Sequence, residues 1–163
     1  SSSSSSSSSR VSADDPNPTS SSLWNAMIYP LVHMRFAGVA WYQGEANFED
    51  PPSYACRFPA MITDWRSKMS NPNLTFVFMQ LAAYPKHDYS ETRNAQMSGL
   101  KLPNVGYAVA VDLGDPASPW DCVHSRRKQE VGRRLALAAV EQRYLDTSSS
   151  GNSGISSSSS SSS

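Results

Sequence analysis

The chain has 163 residues, no net formal charge at neutral pH and an apolar content of 39%. A neutral chain gives no reason to expect a nucleic acid or an anionic membrane as partner. No apolar run reaches the roughly 20 residues that a membrane-spanning helix needs, and no signal peptide is recognisable.

Both ends of the chain are dominated by serine. We expect residues 1–22 and 147–163 to be low-complexity or unassigned sequence, because such runs supply nothing for a hydrophobic core. The span 23–146 is long enough for a compact folded region with a modest core. We therefore expect the functional residues to lie in this central span.

The spacing of apolar residues predicts alternating helices and strands across the central span. In chain order these are a helix at 23–32, a strand at 36–43, a helix at 54–69, a strand at 74–82, a weaker helix at 91–100, a strand at 105–111 and a helix at 125–145. Pro30 limits the first helix, and Pro59 predicts a kink or a late start in the second. The pattern is typical of an α/β fold with a parallel sheet covered on both faces.

Polar side chains follow each predicted strand. Parallel strands bring their carboxyl ends to one edge of a sheet, so we expect these side chains to lie near one another. They are Gln43, Glu45 and Asn47 after the first strand, Tyr84, His87 and Asp88 after the second, and Asp112, Asp115, Asp121 and His124 after the third. Amides, carboxylates and a histidine are the groups that acyl transfer requires.

Asp121 lies three residues before His124, in a loop ahead of the last predicted helix. A carboxylate at this spacing can hold one ring nitrogen of the histidine and leave the other to act as a base. From spacing alone, a solvated loop pair is the preferred interpretation, and a histidine that caps the following helix is a further one. His33, His87 and His124 lack the spacing of metal ligands, so no metal site is expected.

Two further features bear on the cellular compartment. Cys56 and Cys122 permit one disulfide but do not require it. Asn73 begins the sequon Asn-Leu-Thr, which is compatible with a glycoprotein of the secretory route.

Several segments of the central span follow a known family pattern in the right order. They are LWNAMI at 23–28, WYQGEAN at 41–47, FPAMI at 58–62, VAVDLGD at 109–115, VH at 123–124, KQ at 128–129 and VGRRL at 131–135. Together they resemble the sialate O-acetylesterases, a branch of the SGNH hydrolases. The resemblance implies a three-layer α/β/α fold and hydrolysis of the O-acetyl esters of sialic acids, without a metal or other cofactor. It also implies a lysosomal or secreted protein.

The resemblance assigns roles to individual residues. It implies that His124 is the catalytic base and that Asp121, which matches the general SGNH spacing, is its acidic partner; Asp112 and Asp115 stay open as partners or supports. The segment at 41–47 is implied to line the site and to help bind the oxyanion. Its contributing residues are Gln43, Gly44, Glu45 and Asn47.

The nucleophile is where this sequence departs from the family pattern. The family serine lies in a turn resembling Gly-Gln-Ser-Asn, and the sequence contains neither that turn nor a Gly-x-Ser-x-Gly elbow. Cys122 is a poor substitute, being only two residues from His124. We therefore expect the nucleophile to lie outside the printed sequence, with residues 23–146 forming the C-terminal part of the esterase domain. An acetylesterase for other sugars and a catalytically silent carbohydrate-binding relative remain the alternatives.

Overall fold

The computed structural model describes residues 21–145. The expectations for the serine-rich residues 1–20 and 146–163 lie outside the described residues. Contacts divide the chain into two units, 1–35 and 36–163.

The first unit contains two short helical turns where one helix is predicted. Trp24–Ile28 forms a π-helical turn and Tyr29–Leu31 a 3₁₀ turn. Pro30 lies in the first turn of the 3₁₀ segment and has no backbone N–H to donate. The predicted helical conformation is therefore present, but it is broken into two pieces next to this proline.

The second unit is built on a parallel sheet of three strands in the described part of the chain. The strands are β1 (Gly38–Trp41), β2 (Thr75–Gln80) and β3 (Val105–Val109), in the order β1-β2-β3. Both neighbouring pairs run parallel. All three lie within the predicted strands and are shorter than predicted, so the expectation of a parallel α/β sheet is confirmed.

β2 is the central strand and contacts the core on both of its faces. Successive strand residues point to opposite faces, so Phe76 and Phe78 enter one core while Val77 and Met79 enter the other. Each of these four side chains is at most 3% exposed. A strand covered on both faces accounts for the continuous apolar run in its sequence.

Helices cover the two faces of the sheet. α1 (Pro51–Lys68) and α2 (Ser90–Gln96) share one core with the sheet, and α3 (Lys128–Val140) shares the other. The buried members of the first core are Tyr54, Phe58, Ile62, Phe76, Phe78, Ala95 and Val105. Those of the second are Val77, Met79, Ala110, Leu113, Val131, Leu135 and Ala138. The predicted three-layer α/β/α, SGNH-like fold is thus confirmed.

α1 begins earlier than Pro59 led us to expect. The side chain of Asp50 accepts a hydrogen bond from the backbone N–H of Ser53 at 3.1 Å, and Pro51 and Pro52 occupy the first helical positions. Proline is well tolerated there because the first N–H groups of a helix have no intrahelical partner. The helix then continues through Pro59 to Lys68. The expectation that this helix starts late was therefore wrong.

α3 carries the predicted apolar face. Val131, Leu135 and Ala138 are buried, as their helical spacing predicts. The regular helix is shorter than the predicted 125–145, and a π-helical turn, Glu141–Leu145, follows it. Nowhere in residues 21–145 is a helix both long and apolar enough to cross a membrane.

Candidate active site at the carboxyl edge of the sheet

The loops that follow the three strands contact one another at one edge of the sheet. The rings of Phe48 and His87 stack with their centroids 4.2 Å apart, which joins the first loop to the second. Tyr84 donates a hydrogen bond to Asp121 at 3.3 Å, and Lys86 donates one to the same carboxylate at 2.7 Å. These contacts bring the second and third loops together. Sequence analysis named neither Phe48 nor Lys86 as part of this region.

The first loop turns sharply after β1 at a glycine. Gly44 is buried and has a φ of +147°, a conformation that side chains rarely adopt. The N–H of Asn47 donates back to the carbonyl of Gly44 at 3.0 Å. The side chain of Gln43 donates from Nε2 to Oδ1 of Asn47 at 2.8 Å. Asn47 accepts through its oxygen, and within residues 21–145 its Nδ2 group makes no hydrogen bond, so this group can donate to a ligand.

Gln96 of α2 holds the end of β1 against the end of β2. Its Nε2 donates to the carbonyls of Gln43 at 3.2 Å and Met79 at 3.0 Å, and its Oε1 accepts from the N–H of Leu81 at 3.2 Å. The side chain is fully buried. Tyr54 of α1 adds a second donor to the Gln43 carbonyl, from its hydroxyl at 3.2 Å. The position of Gln43 is therefore fixed from two helices.

Sequence reasoning missed Gln96. Its helical spacing from Thr92 and Gly99 was a weak signal of burial, because neither of these residues has a large apolar side chain. A polar residue on a buried face needs hydrogen-bond partners.

Glu45 opens a 3₁₀ turn next to Gln43 and is half-buried. Burial and the nearby charge of Glu45 raise the pKa of Tyr42 to about 12, so this phenol stays protonated. The Lys128 ammonium lies 4.5 Å from the centroid of the Tyr42 ring. This cation–π contact joins the end of β1 to the first turn of α3.

The backbone around His124 is fixed by hydrogen bonds while its ring is left exposed. Ser118 donates its hydroxyl to the His124 carbonyl at 2.7 Å, and Ser125 donates to the Leu113 carbonyl at 2.6 Å. The His124 N–H donates to the carbonyl of Asp121 at 3.0 Å. Within residues 21–145 the imidazole makes no hydrogen bond or ion pair, and the residue is exposed. Both ring nitrogens are free to meet a further group.

Asp121 directs its carboxylate toward the second loop. Besides Lys86 and Tyr84, the carboxylate accepts from the thiol of Cys122 at 3.2 Å. The Lys86 hydrogen bond is the main reason that the pKa of Asp121 lies well below its ordinary value. In the described part of the chain no hydrogen bond joins this carboxylate to the His124 ring. The side-chain pairing of Asp121 with His124 stays a prediction.

Asp112 and Asp115 both form close ion pairs with arginines. Asp112 accepts from Arg134 at 2.6 and 2.7 Å, and Asp115 accepts from Arg126 at 2.6 and 3.0 Å. These hydrogen bonds lower the pKa of each carboxyl to about 2. Their geometry is that of structural supports for the third loop. Arg126 and Arg134 are thereby bound to this loop.

We predict that the Asp115–Arg126 ion pair persists well into the acidic range. The pKa of Asp115 is lowered from 3.8 to about 2, so the pair is fully formed above pH 4 and is lost as the pH falls through about 2. A carbon-detected NMR titration of the Asp115 carboxyl measures this midpoint. In Arg126→Gln the midpoint should move back toward 3.8. A wild-type midpoint near 4 would contradict the ion pair.

Both cysteines are free thiols. Desolvation and the hydrogen bond to Asp121 raise the pKa of Cys122, which keeps it in the thiol form and makes it a weak nucleophile. In the part of the chain that the structure describes, no three His, Cys, Asp or Glu side chains are grouped so that they could hold a metal ion.

The carboxyl edge of this parallel α/β unit carries amides, a carboxylate and a histidine. This arrangement is typical of hydrolases with an α/β fold. The family model for carbohydrate esterase, sialic acid-specific acetylesterase, matches residues 16–141. The chain belongs to this family. It is 38% identical to the sialate O-acetylesterases of Mus musculus and Homo sapiens over 141 residues, which is 75% of this chain.

A solved structure gives the same result. The chain is similar to a carbohydrate acetylesterase from Xanthomonas citri with a TM-score of 0.69 and 38% identity, over 76% of this chain. The chain spans only about a quarter of its curated relatives, 26% of the mouse protein and 27% of the human one, and 30% of the Xanthomonas chain. The comparisons thus cover one part of a larger esterase fold.

Proposed function

We propose that this chain forms the base-bearing and oxyanion-binding part of a sialate O-acetylesterase, which hydrolyses O-acetyl esters of sialic acids by serine-type acyl transfer. The observation that carries the proposal is the contact between loops 43–48, 84–89 and 112–124 at one sheet edge, in a chain of this family. Residues 23–146 would be the C-terminal part of the esterase domain. The complete protein is the polypeptide that unites this part with the serine nucleophile.

In this proposal each side chain has a defined task. His124 accepts the proton of the serine hydroxyl as it attacks the acetyl carbonyl, then gives it to the departing sugar oxygen. It next takes a proton from the water that attacks the acetyl-serine, and the serine oxygen regains a proton as acetate leaves. The amides of Gln43 and Asn47 donate to the oxygen on which negative charge develops. Gly44 gives the loop its turn, and Glu45 supports it from the 3₁₀ turn.

Asp121 orients the His124 ring in this mechanism. Its carboxylate is held by Lys86 at 2.7 Å in the present structure. Pairing with His124 therefore requires this carboxylate either to be shared between the two groups or to leave Lys86. Asp112 and Asp115 are assigned to support, since both are occupied by arginines.

Acetate release from O-acetylated N-acetylneuraminic acid by the complete protein tests the proposed function. We expect turnover that a serine-directed inhibitor abolishes and that a metal chelator leaves unchanged. A folded protein that binds the sugar without releasing acetate would instead be a silent relative. A measurement on acetylated xylose or glucose under the same conditions separates the two enzyme alternatives.

An acetylesterase for other sugars is the second candidate function. The observation that favours it is the similarity to the Xanthomonas citri protein, which is described as a carbohydrate acetylesterase. A much higher kcat/KM on a neutral acetylated sugar than on acetylated sialic acid would favour this candidate.

The family relationship supports a lysosomal or secreted location, and Asn73 offers a test. This residue is exposed in a turn between α1 and β2. We predict that Asn73 carries a glycan when the protein is made in a eukaryotic secretory system, since the turn leaves room for a sugar to project. Intact mass before and after glycosidase treatment measures it, with Asn73→Gln as the control. An unchanged mass in the wild type would contradict the prediction.

A further inference from the structure

A cavity lies in the second loop, next to the proposed catalytic groups. Its volume is about 350 Å³. Ligand-binding pockets commonly measure roughly 300 to 1,000 Å³, so it can hold part of a sugar. The cavity is lined by the side chains of Tyr84, Lys86, His87, Asp88, Tyr89 and Arg93.

Arg93 has unused hydrogen-bonding capacity in this cavity. Its side chain is only 21% exposed, and its closest charged partner is Asp88, at 3.9 Å between nitrogen and oxygen. That distance is too long for a hydrogen bond. The Asp88 carboxylate instead accepts from the N–H of Ser90 at 2.8 Å and from its hydroxyl at 2.9 Å. A largely covered guanidinium whose donors make no hydrogen bond within residues 21–145 favours an incoming anion.

Three other cations around the site are already bound to carboxylates. Arg126 and Arg134 are bound to Asp115 and Asp112, and Lys86 is bound to Asp121. Three arginines between residues 21 and 145 are buried or half-buried: Arg66, Arg93 and Arg134. Arg66 and Arg134 make several side-chain hydrogen bonds, whereas Arg93 makes none within this part of the chain. This difference singles out Arg93.

We propose that Arg93 binds the carboxylate of the sialic acid and thereby determines the preference for an acidic sugar. The inference rests on the proposed function. A planar guanidinium can donate two parallel hydrogen bonds to a carboxylate. A neutral sugar has no carboxylate to accept them. The rings of Tyr84 and His87, with centroids 5.5 Å apart, provide an apolar wall for the sugar in the same cavity. The loop contact from Tyr84 to Asp121 places this cavity beside the proposed catalytic groups.

Arg93→Gln in the complete protein tests the proposal with two matched substrates, O-acetylated N-acetylneuraminic acid and its methyl ester at the carboxyl group. For the acid, we expect KM to rise about 10- to 100-fold with kcat changed little, since a hydrogen-bonded charge pair is lost. For the methyl ester, KM and kcat of the variant should equal those of the wild type. Arg93→Lys should recover part of the affinity. Arg57→Gln, on an exposed arginine of α1, is the matched control and should leave KM and kcat unchanged for both substrates.

The outcomes separate this inference from the proposed function. If the wild type cleaves the acid and Arg93→Gln lowers kcat/KM by the same factor for both substrates, Arg93 does not bind the carboxylate. The inference is then overturned, while the esterase proposal stands. The same holds if wild type cleaves the methyl ester as well as the acid. If wild type cleaves neither substrate, the proposed function itself fails. Product inhibition by free N-acetylneuraminic acid should weaken in Arg93→Gln by the same factor as KM rises, which gives a binding readout independent of turnover.

Discussion

Replacing His124 by alanine in the complete protein should lower kcat/KM for O-acetylated sialic acid by about 10⁴-fold or more. A serine hydroxyl is a weak nucleophile at neutral pH, and removing the base of a triad costs about this factor. The fold should survive, because the neighbouring loop is held through the backbone of His124 and through Ser125, which donates to the Leu113 carbonyl. Steady-state kinetics, together with circular dichroism of the variant, measure both effects.

His33→Ala is the control for this experiment. His33 is also an exposed histidine but lies in the first unit, which contributes no residue to the proposed mechanism. The turnover of the His33→Ala variant should match that of the wild type. A folded His124→Ala protein with normal turnover would remove histidine from the mechanism.

Gln96→Met should lower the free energy of unfolding by about 2 to 4 kcal/mol. Methionine fills a similar volume but leaves the buried N–H of Leu81 without its acceptor, and an unsatisfied buried group costs about 1 to 3 kcal/mol. The carbonyls of Met79 and Gln43 also lose a donor. Denaturant titration of the complete protein measures the stability. Turnover should fall as well, because Gln43 is then held less firmly.

Thr92→Val is the matched control, one turn away on the same helix. The Thr92 hydroxyl is buried and makes no hydrogen bond within residues 21–145. Removing it should leave stability within about 1 kcal/mol of wild type or raise it, because no partner is lost. Equal destabilisation by both substitutions would show that packing, rather than the hydrogen bonds of Gln96, accounts for the loss.

The sequence predicted the parts of the fold that depend on local pattern. The apolar run around Phe76 to Met79 predicted a buried strand, and the spacing of Val131, Leu135 and Ala138 predicted the covered face of α3. Both follow from the periods of strand and helix. The residue types expected at the carboxyl edge follow from the parallel order of the strands.

Features that depend on distant partners were not predictable. No local pattern shows that Lys86 reaches Asp121 or that Arg126 reaches Asp115, because each contact depends on how two loops approach in space. α1 began earlier than expected because the capping of Asp50 and the tolerance of Pro51 and Pro52 at a helix start outweighed the expectation from Pro59. Gln96 was hidden because its side chain reads as an ordinary helix residue until its burial is known.

Labelling with a fluorophosphonate tests the central claim most directly, namely that this chain supplies the base and oxyanion side of a serine esterase whose nucleophile lies outside it. The serine-rich residues 1–22 and 147–163 contain no turn sequence like that of the family nucleophile, and a serine hydroxyl outside such a turn is not activated. The complete protein should be labelled at one serine, in a turn resembling Gly-Gln-Ser outside residues 1–163, and the polypeptide of residues 1–163 should stay unlabelled. Stoichiometric labelling of that polypeptide, abolished by His124→Ala, would contradict the account, since one of its own serines would then be the nucleophile.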